Sequence, residues 1–175
     1  MTALEALLSD PGNTGVWTLA PDRSAVTFRC RSLWGLLPVK GRFTEVHGEG
    51  RLGDETVSGR LDITAASLDT GNRKRDEHLR SEDFFAVERF PTLSVVVTTL
   101  QHAGTRAELR CTLTVRGVTR PLELSAEVDR LGDGAVQIVA TAVVDRTDWE
   151  VDGNLLGMVK TDTTVAATAV FVKSG

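Results

Sequence analysis

The sequence has no apolar run of the length that a transmembrane helix needs. Its longest apolar stretches, residues 93–97 and 136–144, are short and β-branched, whereas a spanning helix takes about 20 residues. Residues 1–15 contain no Lys or Arg, and Glu5 interrupts their apolar part, so they lack the pattern of a secretory signal. The sequence therefore predicts a cytoplasmic protein that does not span a membrane, with residues 1–15 forming a flexible N-terminal segment.

Cysteine is scarce, and positive charge is not in excess. Cys30 and Cys111 lie far apart without C-x-x-C spacing, which supports neither a redox motif nor a zinc site. We expect two buried thiols, and the sequence leaves open whether they pair. The net charge of -4 and the lack of a basic stripe argue against a partner such as nucleic acid or an anionic membrane.

Signatures of catalysis are missing as well. The sequence contains no Gly-x-Ser-x-Gly motif, no paired carboxylates and no histidines at metal-ligand spacing. His47, His78 and His102 could share a metal ion only through tertiary proximity. We therefore predict no catalytic residue, no metal and no cofactor.

What the sequence has in abundance is apolar and polar residues in alternation. This period of two predicts strands with one buried face, and turns rich in Gly, Asp and Asn separate the strands as in antiparallel hairpins. Strands of about ten residues favour a long-stranded barrel over a sandwich. The pattern predicts one all-β domain over residues 16–173. The clearest inward set is Leu109, Cys111, Leu113 and Val115.

Many of the residues that should face the barrel axis are small. A barrel of about eight strands can be filled by side chains or can hold one ligand, and small inward residues favour a narrow apolar channel. In the alternative interpretation, they only relieve crowding where the sheet coils. The inward small residues are Gly59, Ala65, Ala107, Ala126, Ala140, Ala142, Ala167 and Ala169.

Residues 68–85 interrupt the strand pattern, and the sequence predicts a short helical insertion near residues 73–85. A helix near residues 73–80, with Asn72 as its N-cap, places Arg75, His78 and Leu79 on one face. In one interpretation this insertion covers a barrel mouth, where Leu79, Phe84 and Phe85 contact an apolar tail and Arg75 and His78 contact a polar head. In the favoured interpretation, Arg75, Asp76 and His78 form a hydrogen-bonded network that fixes the helix to the barrel.

The segment 32–38 is too apolar for a solvated loop, because it contains Trp34, Leu36 and Leu37 in a short connection. It is expected either to cover a barrel end or to form the opening for a ligand. Phe28 and Phe43 fall on the inward face of the strands on either side and can be core residues or ligand contacts.

Several motifs in combination resemble the YceI-like family, and together they extend over nearly the whole chain from Trp17. The motifs are Asp22-Arg23-Ser24-x-Val26-x-Phe28, Val39-Lys40-Gly41-Arg42-Phe43, Asp69-Thr70-Gly71-Asn72, Arg75-Asp76-x-His78-Leu79-Arg80-Ser81-x-Asp83-Phe84-Phe85, Phe90-Pro91 and Leu113-Thr114-Val115-Arg116-Gly117-Val118-Thr119-Arg120-Pro121. Two departures are Arg23, where a His is common, and residues 146–158, which replace a more usual glycine-containing loop. Many relatives carry a secretion signal.

The resemblance implies a lipocalin-like antiparallel barrel whose elongated apolar cavity holds a lipid tail without catalysis. We therefore expect binding, sequestration or transport of an amphiphilic lipid with a long isoprenoid or quinone-like tail, and a homodimer stays open. The alternatives are an enzyme that uses Arg75, Asp76 and His78, or a filled scaffold barrel that acts through protein partners. The expected ligand contacts are Phe28, Trp34, Leu36, Leu37, Phe43, Ile63, Arg75, His78, Leu79, Phe84, Phe85, Ala140 and Ala167.

Overall fold

The strands of the protein form one antiparallel sheet that closes on itself. The computed structural model describes residues 2–32, 37–53, 56–151 and 162–174. The strands within these ranges are β1 (Gly15–Leu19), β2 (Ala25–Ser32), β3 (Leu37–Phe43), β4 (Val46–Leu52), β5 (Val57–Thr64), β6 (Leu68–Asp69), β7 (Thr92–Ala103), β8 (Arg106–Val115), β9 (Val118–Arg130), β10 (Val136–Asp145) and β11 (Asp162–Lys173). The helices are α1 (Ala3–Ser9) and α2 (Arg73–Arg80).

Closure of the barrel depends on β1, which pairs with β4 on one side and with β11 on the other. The ring therefore runs β1-β4-β5-β7-β8-β9-β10-β11 and returns to β1, while β2, β3 and β6 continue from β11. The predicted all-β barrel of about eight strands is confirmed. Alternation along β8 buries Ala107, Leu109, Cys111, Leu113 and Val115, as the period of two predicts.

Two places where the strands are interrupted determine the shape of the barrel ends. Strand β11 pairs with β1 near Phe171 and with β2 near Val165, so β1 and β2 are two halves of one strand separated by a 3₁₀ turn, Pro21–Arg23. Beyond that turn, β3 pairs with β2 and β6, whereas β4 pairs with β1 and β5. We call the end at β2, β3 and α2 the upper end, and the end at β1, β4 and α1 the lower end.

Helix α2 forms where the sequence predicts it, because the side chain of Asn72 accepts a hydrogen bond from the Arg75 N–H at 3.0 Å. Asp76 is buried and accepts hydrogen bonds from the N–H and the hydroxyl of Thr70. Arg75 donates to the hydroxyl and carbonyl oxygens of Thr70. The favoured network is thus confirmed for Arg75 and Asp76, whereas His78 pairs with Asp83 instead, at 2.9 Å.

We expect Asp76→Ala to lower the free energy of unfolding by about 1–3 kcal/mol, since it leaves the two half-buried donors of Thr70 without their acceptor. Urea denaturation measures this change, and hydrogen exchange should be faster in α2. The matched control is Glu77→Ala, which removes an exposed ion pair with Arg73 and should cost at most about 0.5 kcal/mol. Equal effects of the two substitutions would contradict the structural role of Asp76.

The N-terminal residues differ from the flexible segment that the sequence predicted for 1–15. They contain α1, which begins with a capping box between Thr2 and Glu5. Leu4 and Leu7 point into the barrel, where 3% and 7% of their surfaces remain exposed. Burial of these side chains supports a helix that is too short to be stable alone.

The other global expectations concern the cysteines and membrane association. Cys30 and Cys111 are both free thiols, which answers the pairing question that the sequence left open, but only Cys111 is buried as expected, whereas Cys30 is half-buried. Burial raises the pKa of the Cys111 thiol to about 11, so the thiol stays protonated at neutral pH. Among the residues that the structure describes, no helix has the length and apolar content to cross a membrane.

Candidate ligand cavity

The described residues of the barrel enclose two apolar cavities in its interior, one towards each end. The upper cavity has a volume of about 170 Å³, and its walls include Phe28, Leu79 and Trp149. The lower cavity has a volume of about 160 Å³, and its walls include Leu7 and Trp17. The side chains therefore do not fill the barrel, which is the outcome that the small inward residues favour.

The two cavities meet at a waist, which we define by the five residues that line both of them. In the sheet, Ala140 of β10 lies directly opposite Ala167 of β11, so two small side chains occupy the same level of the barrel wall. The side chains at this level therefore separate the two cavities, and the two alanines are the smallest of them. The waist residues are Leu61, Val95, Leu124, Ala140 and Ala167.

Most of the predicted ligand contacts lie on the wall of the upper cavity, although contact with a ligand stays a prediction. Trp34 and Leu36, and the side chain of Leu37, lie outside the part of the chain that the structure describes. Arg75 and His78 do not line either cavity, because their side chains bond to Thr70 and Asp83. The predicted residues on the wall are Phe28, Phe43, Ile63, Leu79, Phe84, Phe85, Ala140 and Ala167.

An aromatic cluster connects the insertion to the strands at the upper end. The ring centroids of Phe28 and Phe43 lie 5.5 Å apart, and those of Phe43 and Phe85 lie 6.1 Å apart at a near-perpendicular angle. Such edge-to-face pairs stabilise by about 0.5–1.5 kcal/mol beyond the buried area. Phe85 therefore joins the segment after α2 to the wall formed by β2 and β3.

Gly41 makes room for this cluster. It lies opposite Phe28 in the β2–β3 pairing, and a Cβ atom at position 41 would lie 2.3 Å from Cζ of the Phe28 ring. A side chain there would displace the ring, because non-bonded carbon atoms approach to about 3.5–4.0 Å. The glycine in the Val-Lys-Gly-Arg-Phe motif thus positions an aromatic wall residue.

Arg146 is a wall residue of the upper cavity that the sequence did not predict. Its guanidinium lies 5.6 Å from the centroid of the Phe84 ring, and it donates a hydrogen bond to the carbonyl oxygen of Val151. Burial raises the pKa of the nearby Cys30 thiol, and the positive charges of Arg146 and Arg75 oppose that shift. Arg146 was missed because its location depends on packing against Phe84, which lies far away in sequence.

Apart from the waist residues Ala140 and Ala167, none of the predicted ligand contacts that the structure describes lines the lower cavity. Its wall includes Leu4, Leu7 and Leu8 from α1 and Trp17 from β1. A signal existed in the sequence, because Thr2 and Glu5 have the spacing of a capping box and Leu4 and Leu7 are three residues apart on one face of the helix.

Titratable groups are few at these walls. Cys30 and Arg146 are the ionisable residues among the described lining of the upper cavity. His102 bonds to Thr2 and lies 3.3 Å from a carboxylate oxygen of Glu5, and His47 lies 3.6 Å from a carboxylate oxygen of Glu45. Within the described ranges, no cluster of three or more His, Cys, Asp or Glu side chains could hold a metal ion.

A closed antiparallel barrel of eight strands with an apolar interior is the architecture of lipocalin-like proteins, among other closed barrels. Within that class, residues 17–171 match the YceI-like domain, and the chain belongs to this family. It is similar to a UPF0312 protein of Pseudomonas aeruginosa (strain LESB58), with 32% identity over 111 residues, 62% of this chain and 58% of the relative. Protein YceI of Salmonella arizonae matches with the same identity and coverage. The chain thus spans less than two thirds of the length of these relatives.

Solved structures show the same barrel. BcnA of Burkholderia cenocepacia superposes with a TM-score of 0.78 at 17% identity, over 87% of this chain and 98% of that one. A polyisoprenoid binding domain of Saccharophagus degradans, implicated in plant cell wall breakdown, gives a TM-score of 0.77 at 16% identity, over 90% of this chain and 98% of that one. At these identities the likeness establishes the fold.

Proposed function

We propose that the protein binds and sequesters one amphiphilic lipid, with its isoprenoid or quinone-like tail in the barrel. The observation that carries the proposal is the pair of apolar cavities that share the waist. The polyisoprenoid-binding description of the Saccharophagus degradans domain, which has the same fold, supports the same ligand class.

The volumes of the cavities indicate how much tail the barrel takes up in this conformation. A cavity of about 150 Å³ with aliphatic and aromatic walls accommodates one benzene molecule, so each cavity here holds about six carbon atoms. Each buried methylene contributes about 0.8 kcal/mol to the free energy of binding. The entropic cost of ordering the tail and the side chains opposes this contribution. A longer tail requires side chains of the wall to rearrange.

The polar head of the lipid should stay at the upper end, beside Arg146. This side chain is the one cation among the described wall residues of the upper cavity, and a charged or hydrogen-bonding head would otherwise lie unpaired in an apolar space. The positive charge of Arg75 also acts on the pKa of the Cys30 thiol, although Arg75 does not line the cavity.

The proposal is for binding without catalysis. The protonated Cys30 thiol is a poor nucleophile because its pKa is raised. Arg75, Asp76 and His78, the residues of the enzyme alternative, are engaged in hydrogen bonds outside the cavity walls. A tail in the cavities would meet carbon atoms rather than these groups.

Native mass spectrometry of the purified protein, followed by extraction of bound lipid, tests the proposal. We expect one bound tail per chain, and we expect the extracted protein to take up prenyl alcohols or a prenylated quinone from solution. The matched control is the same quinone without its tail, which should not bind measurably. A protein that purifies empty and takes up none of these probes would contradict the proposal and favour the scaffold or enzyme alternative.

A further inference from the structure

The lower cavity has a wall that lies outside the part of the chain shared with the family. Residues 17–171 match the YceI-like domain, whereas α1 precedes them and contributes Leu4, Leu7 and Leu8 to the cavity lining. Leu4 and Leu7 are buried, and Leu8 is 41% exposed. The helix therefore forms a boundary of the cavity that the matched barrel alone does not provide.

The beginning of α1 is fixed to the end of β7. The hydroxyl of Thr2 lies 3.2 Å from Nε2 of His102, and a carboxylate oxygen of Glu5 lies 3.3 Å from the same nitrogen. Thr2 and Glu5 also cap the helix reciprocally. A single barrel residue, His102, thus holds the two residues that define the N-terminus of the helix.

The end of α1 is fixed through the buried side chain of Asn13. Its amide group donates to the carbonyl oxygen of Leu7 at 3.0 Å, which satisfies one of the carbonyls left free at a helix C-terminus. Its side-chain oxygen accepts from Arg130 of β9, and its backbone carbonyl accepts from the Trp17 indole at 2.9 Å. Contacts at both ends therefore place Leu4 and Leu7 at a fixed depth.

We propose that α1 is the floor of the ligand site and that Leu4 and Leu7 set the longest tail that the protein accepts. This inference rests on the proposed function and adds a compartment for the far end of the tail. To reach this compartment, the end of the tail has to pass between the waist residues, which lie at both cavities: Leu61, Val95, Leu124, Ala140 and Ala167. Carbon atoms excluded by the floor stay in water or fold back, and each methylene lost changes the affinity about fourfold.

Substitution of Leu7 tests the floor in both directions. In Leu7→Trp, the indole occupies space in the lower cavity, so the affinity for prenyl alcohols long enough to reach it should fall more than tenfold while shorter ones bind unchanged. In Leu7→Ala, the floor recedes, and the longest accepted alcohol should gain carbon atoms. The measurement is the dissociation constant across a series of prenyl alcohols from geraniol to geranylgeraniol and longer homologues.

The matched control is Ala6→Trp, which adds the same indole to an exposed position of α1 that does not line the cavity. It should bind every alcohol as the unmodified protein does. The inference is overturned if the unmodified protein binds the series but the dependence on length is the same in Leu7→Trp, Leu7→Ala and Ala6→Trp. If the unmodified protein binds no alcohol of any length, the proposed function itself fails, so the two failures are distinguishable.

Discussion

Replacing Ala140 with Trp should abolish binding of the tail while the barrel stays folded. Ala140 belongs to the waist and lines both cavities, and it lies directly opposite Ala167. An indole at this level occupies the centre of the barrel and separates the two compartments. Because a tail of about six carbon atoms would be displaced, we expect affinity to fall more than 100-fold, at about fourfold per methylene.

Titration of the extracted protein with a prenylated quinone measures the loss, and circular dichroism and thermal unfolding show whether the barrel is intact. The matched control is Thr141→Trp, the next residue along β10, which is exposed and does not line either cavity. Ala167→Trp should behave like Ala140→Trp because it enters the same space from β11. Full binding by a folded Ala140→Trp protein would show that the tail does not pass the waist.

Among the substitutions proposed for this protein, replacing Trp149 with Ala should lower the free energy of unfolding the most. Trp149 is 5% exposed, packs in the core at the upper end, and donates its indole N–H to the carbonyl oxygen of Leu113 at 2.8 Å. Truncation of a buried Trp costs about 3–5 kcal/mol, and the Leu113 carbonyl loses a partner as well. Since whole domains are stable by about 5–15 kcal/mol, this substitution removes much of the total.

Urea denaturation measures the free energy of unfolding of the variant. Trp149→Phe is the informative partner, because it keeps most of the apolar volume and removes the N–H; we expect it to cost about 1–3 kcal/mol. A loss below about 1 kcal/mol for Trp149→Ala would contradict the buried position of the indole.

The sequence predicted those features of the fold that depend on local patterns. Alternation along β8 and β10 gave strands, and the N-cap at Asn72 gave α2. The inward alanines predicted an interior that side chains do not fill, because the parity of a position in a strand determines which way its side chain points. Ala140 and Ala167 could therefore be named before the structure.

Features that depend on distant contacts were not predictable in this way. No local pattern states that β11 pairs with both β1 and β2, or that Arg146 lies over Phe84. The sequence predicted a flexible segment over residues 1–15 and no helix there, and a helix as short as α1 is unstable in isolation. The helix is stabilised by contacts with the barrel, which bury Leu4 and Leu7 and place His102 beside the capping residues. For Arg75, the sequence left both a hydrogen-bonded network and a lipid head as partners and favoured the network, and in the structure Arg75 donates to Thr70.

The pairing of β1 with β11 has a consequence for the order in which the barrel assembles. Trp17 lies opposite Lys173, and the backbone N–H of Ser174 donates to the carbonyl oxygen of Val16 at 2.8 Å. The first and last strands of the ring thus complete it together, and the cylinder cannot close during synthesis before β11 has left the ribosome. Until then β10 and β1 expose unpaired edges, which favour association between chains. Contacts of such long sequence separation also make folding slow, on the order of milliseconds to seconds.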